Sequence, residues 1–376
     1  MKENPLYKQI EQHYLKRITD GELKQGDRLP TEYEMMKIFG VSRITVIKAM
    51  KGLEKHGVIE RHTKTGTFVN TRKREITKQL TIPIVLPYND VLNYDIILGA
   101  QKFALANGAV IPFYNTFNKP TTEREILMTL EHMNLDGLIF YPCSTLENID
   151  AVSRIYRKKI PIVLLDRPLL GADFPLVTSD NFTGMRRLVR HLLRKGYRRF
   201  GYYGISKQMI ATERDRFDGF CSGLFDSNLE INPAYFYENE TDVAESSRYA
   251  SSDCRDENVL LASKKVAQAI KQDPNPPQVV CCTNDFYAVT LLKAVQEEGI
   301  SVPDDLIITG FDGISLTRNS DVPIPTISQN FEEIGKTALV TICRMIAGES
   351  VPSVQKIPTH RSRADRSWDT DTEEEE

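Results

Sequence analysis

The sequence predicts an α/β protein in which a small helical unit with a β-hairpin precedes a much larger unit of parallel sheets. Two observations lead to this prediction. Residues 1–74 carry closely spaced helix signals, whereas from Ile82 onwards short apolar strands alternate with amphipathic helices. At 376 residues the chain is too long for one ordinary core, so we expect two or three folding units.

Charge is divided unevenly along the chain, although the total is only −3. Residues 1–74 hold 16 Lys and Arg against 9 Asp and Glu, so the remaining residues carry a net charge of −10. A basic head on an acidic body indicates that the head alone meets a polyanion; a solvated surface without a partner is the alternative. Residues 366–376 end in a run of acidic side chains and are predicted to form a disordered tail.

Several classes of protein are disfavoured by the composition. No stretch of about 18 apolar residues could span a bilayer, and the N-terminus lacks the apolar core of a secretory signal. The six cysteines do not have the spacing of a zinc site. We therefore expect a cytoplasmic protein with reduced thiols, no metal and no cofactor. The absence of a nucleophile–base pattern or a P-loop also argues against an enzyme.

The head begins with two predicted helices. Pro5 can occupy the first turn of a helix that stops at Gly21. A second helix starts at Thr31, because Thr31 and Glu34 have the spacing of a capping box, and it ends before a tight turn at Gly40.

A third helix, capped by Ser42, is predicted after this turn, and two short helices joined by a glycine turn are typical of a helix-turn-helix. Residues 58–61 and 67–69 are predicted strands of a hairpin with a basic tip, which forms a wing. Residues 1–70 are thus predicted to be a winged helix-turn-helix, and residues 71–80 a polar linker.

The exposed start of the third helix can read DNA, because a helix in the major groove needs donors at its N-terminal end. Arg43 is the candidate for a bidentate guanine contact and Ile44 for a thymine methyl; a solvated Arg and a packing Ile are the alternatives. Lys48 follows along one side, where it can meet phosphates.

Residues 5–70 resemble the winged helix-turn-helix of the GntR family. The resemblance is carried by residues 26–32 (GDRLPTE), 41–46 (VSRITV), 57–59 (GVI) and 66–69 (GTFV), in the expected order and at the expected separations. The predicted DNA-contacting residues are Arg28, Thr31, Ser42, Arg43, Ile44, Thr45, Lys48, Lys64, Thr65 and Gly66.

The rest of the chain has the rhythm of parallel sheets covered on both faces. In such sheets ligands lie beyond the carboxyl ends of the strands. Asp166, Asn284 and Asp312 follow predicted strands, although each taken alone is more often a helix cap than a ligand. Strands are predicted near 82–86, 109–114, 137–141, 161–165, 199–203, 278–282 and 306–309. Helices are predicted near 95–107, 121–134, 181–195, 212–227, 258–271 and 285–298.

Residues 80–360 resemble the effector domain of the LacI family, which is similar to periplasmic sugar-binding proteins. The landmarks are residues 161–168 (PIVLLDRP), 213–220 (ERDRFDGF), 283–285 (TND), 310–312 (GFD) and 325–331 (PTISQNF). This resemblance implies a two-lobed, type I periplasmic-binding-protein-like domain over residues 81–365 that binds a sugar and forms the dimer.

The same resemblance implies which residues bind the effector. Arg216, Asn284 and Asp312 would bind hydroxyl groups, Asp166 and Gln329 would support them, and an aromatic ring would stack on the sugar. The predicted set is Asp166, Arg216, Asn284, Asp312, Gln329 and the aromatic Phe331, with Tyr88, Asp95 and Asn115 from the first lobe.

A GntR-type head on a LacI-type body is the arrangement of the arabinose repressor group in Gram-positive bacteria. It implies a homodimeric repressor of carbohydrate-utilisation genes that binds a pseudo-palindromic operator in double-stranded DNA. A sugar, with L-arabinose as the leading candidate, would release it. The alternatives are a corepressor-type regulator of another small polar ligand, and a sugar-binding transport component, which would need a secretion signal and no basic head.

Overall fold

The computed structural model describes residues 5–19, 22–55, 58–62, 66–70, 79–87, 91–205, 210–238 and 257–362. Contacts within the chain divide it into two units, Met1–Lys78 and Gln79–Glu376. Residues 71–78 of the predicted linker and the predicted acidic tail lie outside the described residues, as do Lys64, Thr65 and Tyr88.

The first unit has three helices followed by a hairpin in its described part. These elements are α1 (Leu6–Thr19), α2 (Glu32–Phe39), α3 (Arg43–Lys55), β1 (Ile59–His62) and β2 (Gly66–Val69). The two strands pair antiparallel. The predicted order of helices, turn and wing is confirmed.

Local signals in the sequence explain how the second helix begins and ends. The Thr31 hydroxyl accepts a hydrogen bond from the Glu34 amide, and the Glu34 carboxylate accepts one from the Thr31 amide at 2.7 Å, which completes the predicted capping box. Gly40 ends the helix with a φ of +63°, a conformation that favours glycine. The inner face of α3 is buried at Val46, Ala49, Met50 and Leu53.

The second unit alternates strands and helices along most of its length. Its elements are β3 (Leu80–Thr81), β4 (Ile84–Leu86), α4 (Val91–Asn107), β5 (Ala109–Val110), β6 (Phe113–Asn115), α5 (Pro120–Glu131), β7 (Leu138–Phe140), α6 (Ile149–Arg157), β8 (Ile162–Leu165), β9 (Leu176–Ser179), α7 (Asn181–Arg194), β10 (Phe200–Ile205), α8 (Ala211–Phe225), β11 (Phe236–Glu238), α9 (Glu257–Gln272), β12 (Val279–Cys282), α10 (Asp285–Glu297), β13 (Ile307–Asp312), α11 (Ser315–Arg318), β14 (Thr326–Ser328), α12 (Phe331–Ile346), β15 (Val354–Ile357) and β16 (His360–Arg361).

Two six-stranded sheets form the cores of two lobes. The strand order is β15-β9-β8-β7-β4-β6 in the first lobe and β11-β10-β12-β13-β14-β16 in the second. All neighbouring strands in these sheets are parallel except β14 and β16. This arrangement confirms the predicted α/β fold with two lobes.

The chain crosses between the lobes three times, after β9, after β14 and after β15. Strand β9 belongs to the first-lobe sheet and β14 to the second, so the segments that follow them run in opposite directions. Strands β15 and β16 are joined directly but lie in different sheets. The crossovers therefore bring residues that are far apart in sequence to the boundary between the lobes.

Several elements of this unit were not predicted. Strands β9, β11, β14, β15 and β16 have four residues or fewer, so they carry little hydrophobic pattern and owe their pairing to neighbours. Helix α6 was also missed. Helix α12 was not predicted either, although its buried residues Ile334, Ala338, Leu339 and Ile342 have the spacing of an amphipathic helix. Leu80, predicted to end the linker, is the first residue of β3.

Candidate functional site

A buried guanidinium organises the boundary between the two lobes. Arg216 lies on α8, where Nε donates to Asn181 Oδ1 at 2.8 Å and Nη1 donates to the Thr283 carbonyl at 2.8 Å. Its Nη2 lies 3.2 Å from Asp312 Oδ1, and its Cζ lies 4.1 Å from the centre of the Phe311 ring. The guanidinium is thus held on several sides by both polar and aromatic groups, which favours one orientation.

Polar contacts lead from Arg216 to residues of two crossovers and return to Arg216, so they form a closed loop. Gln329 Nε2 donates to Asp312 Oδ1 at 2.6 Å, and the Ser179 hydroxyl donates to Gln329 Oε1. Asn181 Nδ2 donates to the Ser179 carbonyl at 3.0 Å. We refer to these five residues, Ser179, Asn181, Arg216, Asp312 and Gln329, as the crossover ring. Each of the five residues contacts two others, so the ring links the crossover after β9 to the crossover after β14.

Burial raises the pKa of two carboxyl groups, one within the crossover ring and one next to it. Burial raises the pKa of Asp312, and the Arg216 charge opposes this shift. Burial also raises the pKa of Asp285, the first residue of α10. It does so although the Asp285 carboxylate accepts hydrogen bonds from the Thr326 hydroxyl and from the Ile314 amide, the latter at 2.9 Å. Because Asp285 further raises the pKa of Asp312, these two carboxyl groups gain protons more readily than ordinary aspartates.

The first lobe contributes Asp166, which directly follows β8 and has a φ of +57°. Its carboxylate accepts hydrogen bonds from the Tyr141 hydroxyl at 2.7 Å and the Thr178 hydroxyl at 2.9 Å. Burial lowers the pKa of Arg216, but the charges of Asp312 and Asp166 raise it more. Asp166 therefore acts electrostatically on the crossover ring from the other lobe.

Two charged residues near the crossover ring were not among the predicted contacts. Arg167 is buried and donates through Nη1 to the carbonyls of residues 142 and 143. Burial raises the pKa of Glu213, while Arg216 and Arg167 oppose this shift. Both had a sequence signal, since Arg167 directly follows Asp166 and Glu213 lies one helical turn before Arg216.

The remaining predicted effector contacts do not join the crossover ring. Asn284 caps α10, because its Oδ1 accepts a hydrogen bond from the amide of residue 287 at 3.1 Å. A helix cap was the alternative interpretation of this residue. Phe331 packs against the apolar core of the first lobe. Asn115 Oδ1 accepts from the amide of residue 117 at 2.7 Å. Asp95 lies half-buried on α4, where burial and the charge of Glu332 raise its pKa. Their roles in binding stay predictions.

The predicted reading residues of the head are exposed at the start of α3. The Arg43 side chain is 72% exposed, and its Nε lies 3.1 Å from Glu32 Oε2. The other oxygen of Glu32 lies 3.1 Å from Arg61 Nη2 on β1, so one carboxylate links α2, α3 and the wing. Ile44 is also exposed. Ser42 Oγ lies 3.0 Å from Thr45 Oγ1, so the two hydroxyl groups lie together at the N-terminal end of α3.

The other predicted DNA contacts have partners within the head. Lys48 Nζ lies 4.0 Å from the centre of the Tyr7 ring, in a cation–π contact. The Arg28 side chain passes over Gly66, with Nε 2.9 Å from the position that a Cβ atom would take there. The Arg28 side chain could move aside for a Cβ atom, but Gly66 also has a φ of +121°, a backbone conformation that favours glycine.

Neither a membrane span nor a metal site is seen in the part of the chain that the structure describes. No described helix combines the length and hydropathy needed to cross a bilayer. No group of three or more His, Cys, Asp or Glu side chains among the described residues could hold a metal ion.

A winged helix-turn-helix joined in one chain to a two-lobed α/β domain defines a transcriptional regulator. Residues 6–69 match the family of bacterial regulatory proteins of the gntR type, and residues 189–364 match the periplasmic binding protein-like domain. The chain is 30% identical over 360 residues to the arabinose metabolism transcriptional repressor of Geobacillus stearothermophilus, with 94% of each chain covered. The chain belongs to this family of transcriptional repressors, and both resemblances found in the sequence are confirmed.

Two further comparisons agree with this assignment. The arabinose metabolism transcriptional repressor of Halalkalibacterium halodurans is 25% identical over 352 residues, which cover 91% of this chain and 90% of the relative. The crystal structure of a putative ribose operon repressor from Burkholderia thailandensis matches with a TM-score of 0.62 at 20% identity, covering 76% of this chain and 99% of that one. This structural match supports the fold of the body.

Proposed function

We propose that this repressor controls carbohydrate-utilisation genes and that a sugar bound between the lobes releases it from its operator, with L-arabinose as the first candidate. The observation that carries the proposal is the crossover ring. Three of its residues, Ser179, Asn181 and Gln329, belong to the segments that join the lobes, whereas Arg216 and Asp312 belong to the second lobe. A ligand that exchanges hydrogen bonds with the ring therefore acts on the boundary that must change when the lobes close. The names of the relatives from Geobacillus and Halalkalibacterium support arabinose as the starting point.

The chemistry of the crossover ring and of the neighbouring Asp166 suits a polyhydroxyl ligand. Asp312 and Asp166 accept hydrogen bonds, while Arg216 donates them. A hydroxyl group both donates and accepts, so neighbouring hydroxyls of a sugar can bridge a carboxylate and a guanidinium. A site built for such hydroxyls rejects analogues that lack them, because the buried polar groups would then be left unpaired.

We propose that the exposed start of α3 reads the operator, with Arg43 as the principal base contact. One recognition helix reads too few base pairs to select a site in a genome, so we expect a homodimer on a pseudo-palindromic operator. Sedimentation velocity of the free protein and of its complex with the duplex measures this directly. A monomer in both states would contradict the proposal.

Calorimetry decides whether the sugar is an inducer. After a thermal-shift screen of pentoses and hexoses that begins with L-arabinose, sugar affinity is measured with and without a saturating operator duplex. Coupling between two sites is reciprocal and typically amounts to about 1–3 kcal/mol, so the duplex should weaken sugar binding by about 5- to 150-fold. Tighter sugar binding on DNA would instead establish the corepressor alternative.

A pair of variants ties the sugar to the crossover ring. Gln329→Ala removes one member of the ring and should abolish the calorimetric signal, because it breaks the contacts to Ser179 and Asp312. Gln272→Ala makes the same chemical change on the exposed end of α9 and should bind sugar as the wild type does. Equal sugar affinity in both variants would place the binding site elsewhere.

A further inference from the structure

Three arginines form an exposed stripe along α7, although the body as a whole is acidic. Arg187, Arg190 and Arg194 are spaced by three and four residues, so they lie on one face of the helix. All three are exposed, and none forms an ion pair within the described part of the chain. Like charges at this spacing repel one another, so the stripe favours an acidic partner.

The packing of α7 keeps this stripe directed away from the core. The opposite face buries Met185, Leu188 and Leu192 in the apolar core of the second lobe. The neighbouring Arg186 is already paired with Asp226 at 2.6 Å. Asp226, which directly follows α8, is therefore engaged by Arg186 rather than by the stripe.

The described chain ends next to the same helix. Arg361 Nη1 on β16 lies 2.9 Å from His191 Nδ1 on α7, and Ser362 is the last described residue. Residues 369–376 contain two Asp and four Glu. Seven residues of extended chain span about 23–25 Å. The 14 residues of α7 span about 21 Å, so the acidic segment can reach every arginine of the stripe.

We propose that the acidic segment 369–376 docks on the arginine stripe of α7 in the same chain. The contact is electrostatic, with carboxylates distributed over three guanidinium groups, and does not require a fixed fold of the segment. Docking neutralises the stripe and shields this face of the second lobe from other polyanions, including the phosphates of non-operator DNA.

The single tryptophan, Trp368, provides the test because it directly precedes the acidic segment. Collisional quenching of its fluorescence by acrylamide, a neutral quencher, is measured on the full chain at low and high salt. Docking should protect Trp368 at low ionic strength, and salt should raise the quenching constant by about twofold as it screens the contact. A quenching constant that does not depend on salt would overturn the proposal.

A matched pair of charge variants separates docking from a general effect of net charge. The triple variant of the stripe should show the high quenching constant at every salt concentration, whereas a triple variant on α9 should behave as the wild type. The stripe variant is Arg187→Gln, Arg190→Gln and Arg194→Gln, and the control is Lys264→Gln, Lys265→Gln and Lys271→Gln. Circular dichroism verifies that both are folded. Protection of Trp368 that persists in the stripe variant would overturn the assignment of the surface. Protection that disappears on dilution would place the segment on a second copy and overturn the intramolecular contact.

Discussion

Replacing Arg216 by methionine should destabilise the body of the protein by about 3–5 kcal/mol above neutral pH. The substitution keeps most of the side-chain length and removes the charge. Asp312 Oδ1, which lies 3.2 Å from Arg216 Nη2, would then be a buried carboxylate without its counter-charge. The side chains of Arg216 and Asp312 are only 7% and 9% exposed, so solvent screens little of this loss.

The size of the effect follows from the contacts that the guanidinium makes. Its hydrogen bonds to Asn181 and to the Thr283 carbonyl contribute about 1 kcal/mol each, and the uncompensated carboxylate accounts for most of the remainder. For a domain of this size, 1 kcal/mol shifts Tm by roughly 2–4 °C. We therefore expect Tm of the body to fall by roughly 6–20 °C.

Thermal unfolding of a double-mutant cycle checks this reasoning. Asp312→Asn removes the charge of the partner, so combining it with Arg216→Met should cost less than the sum of the two single changes. Groups in one hydrogen-bonded network usually show coupling energies of about 0.5–3 kcal/mol. A fall in Tm of less than about 2 °C for Arg216→Met, or strict additivity in the cycle, would refute the structural importance of the pair.

Further predictions concern the head and the pH dependence of binding. Thr31→Ala should destabilise the head by about 1 kcal/mol through loss of the capping box, whereas Thr31→Ser should not, and chemical denaturation measures both. Arg43→Ala should cost about 1–3 kcal/mol of DNA-binding free energy and relax base choice. Lys51 is exposed on α3, about one helical turn after Lys48, so Lys51→Ala should instead weaken binding to all DNA sequences alike. Competition gel shifts distinguish the two; equal loss of discrimination in both variants would contradict the role of Arg43. Sugar affinity should fall as pH is lowered below neutral, because the raised pKa of Asp312 lets it take up a proton and lose its charge. Because the pKa of Asp312 is higher in the folded state, uptake of this proton stabilises the fold, so protonation of Asp312 should not lower Tm over the same pH range. A sugar affinity that is constant with pH would contradict the role of Asp312 in binding.

Local signals were sufficient to predict much of the architecture. The capping box at Thr31, the turn at Gly40 and the cap at Ser42 depend on residues within four positions of one another. The alternation of buried strands and helices in the body is also a short-range pattern. Short strands such as β14, with three residues, and β16, with two, were not predicted, because so few residues cannot show an alternating hydrophobic pattern. Their hydrogen bonds are made to strands that the rest of the fold positions.

Residue types after predicted strands, together with the family resemblance, suggested the site but not its connections. Arg216, Asp312 and Gln329 were predicted and do come together. Asn181 and Ser179 were not among the predicted contacts, because nothing in their immediate sequence indicates that they hold Arg216 and Gln329. Phe331, predicted to stack on a sugar, packs on the first-lobe core in this structure.

The order of the units, their charge difference and the helix ends follow from the amino-acid sequence alone, because these depend on composition and on contacts between near neighbours. Which polar side chains share one hydrogen-bonded ring depends instead on long-range contacts. Asn181 and Arg216 are 35 residues apart, and Ser179 and Gln329 are 150 apart. They meet because the chain crosses three times between two sheets, and buried polar groups must find partners wherever the crossovers place them.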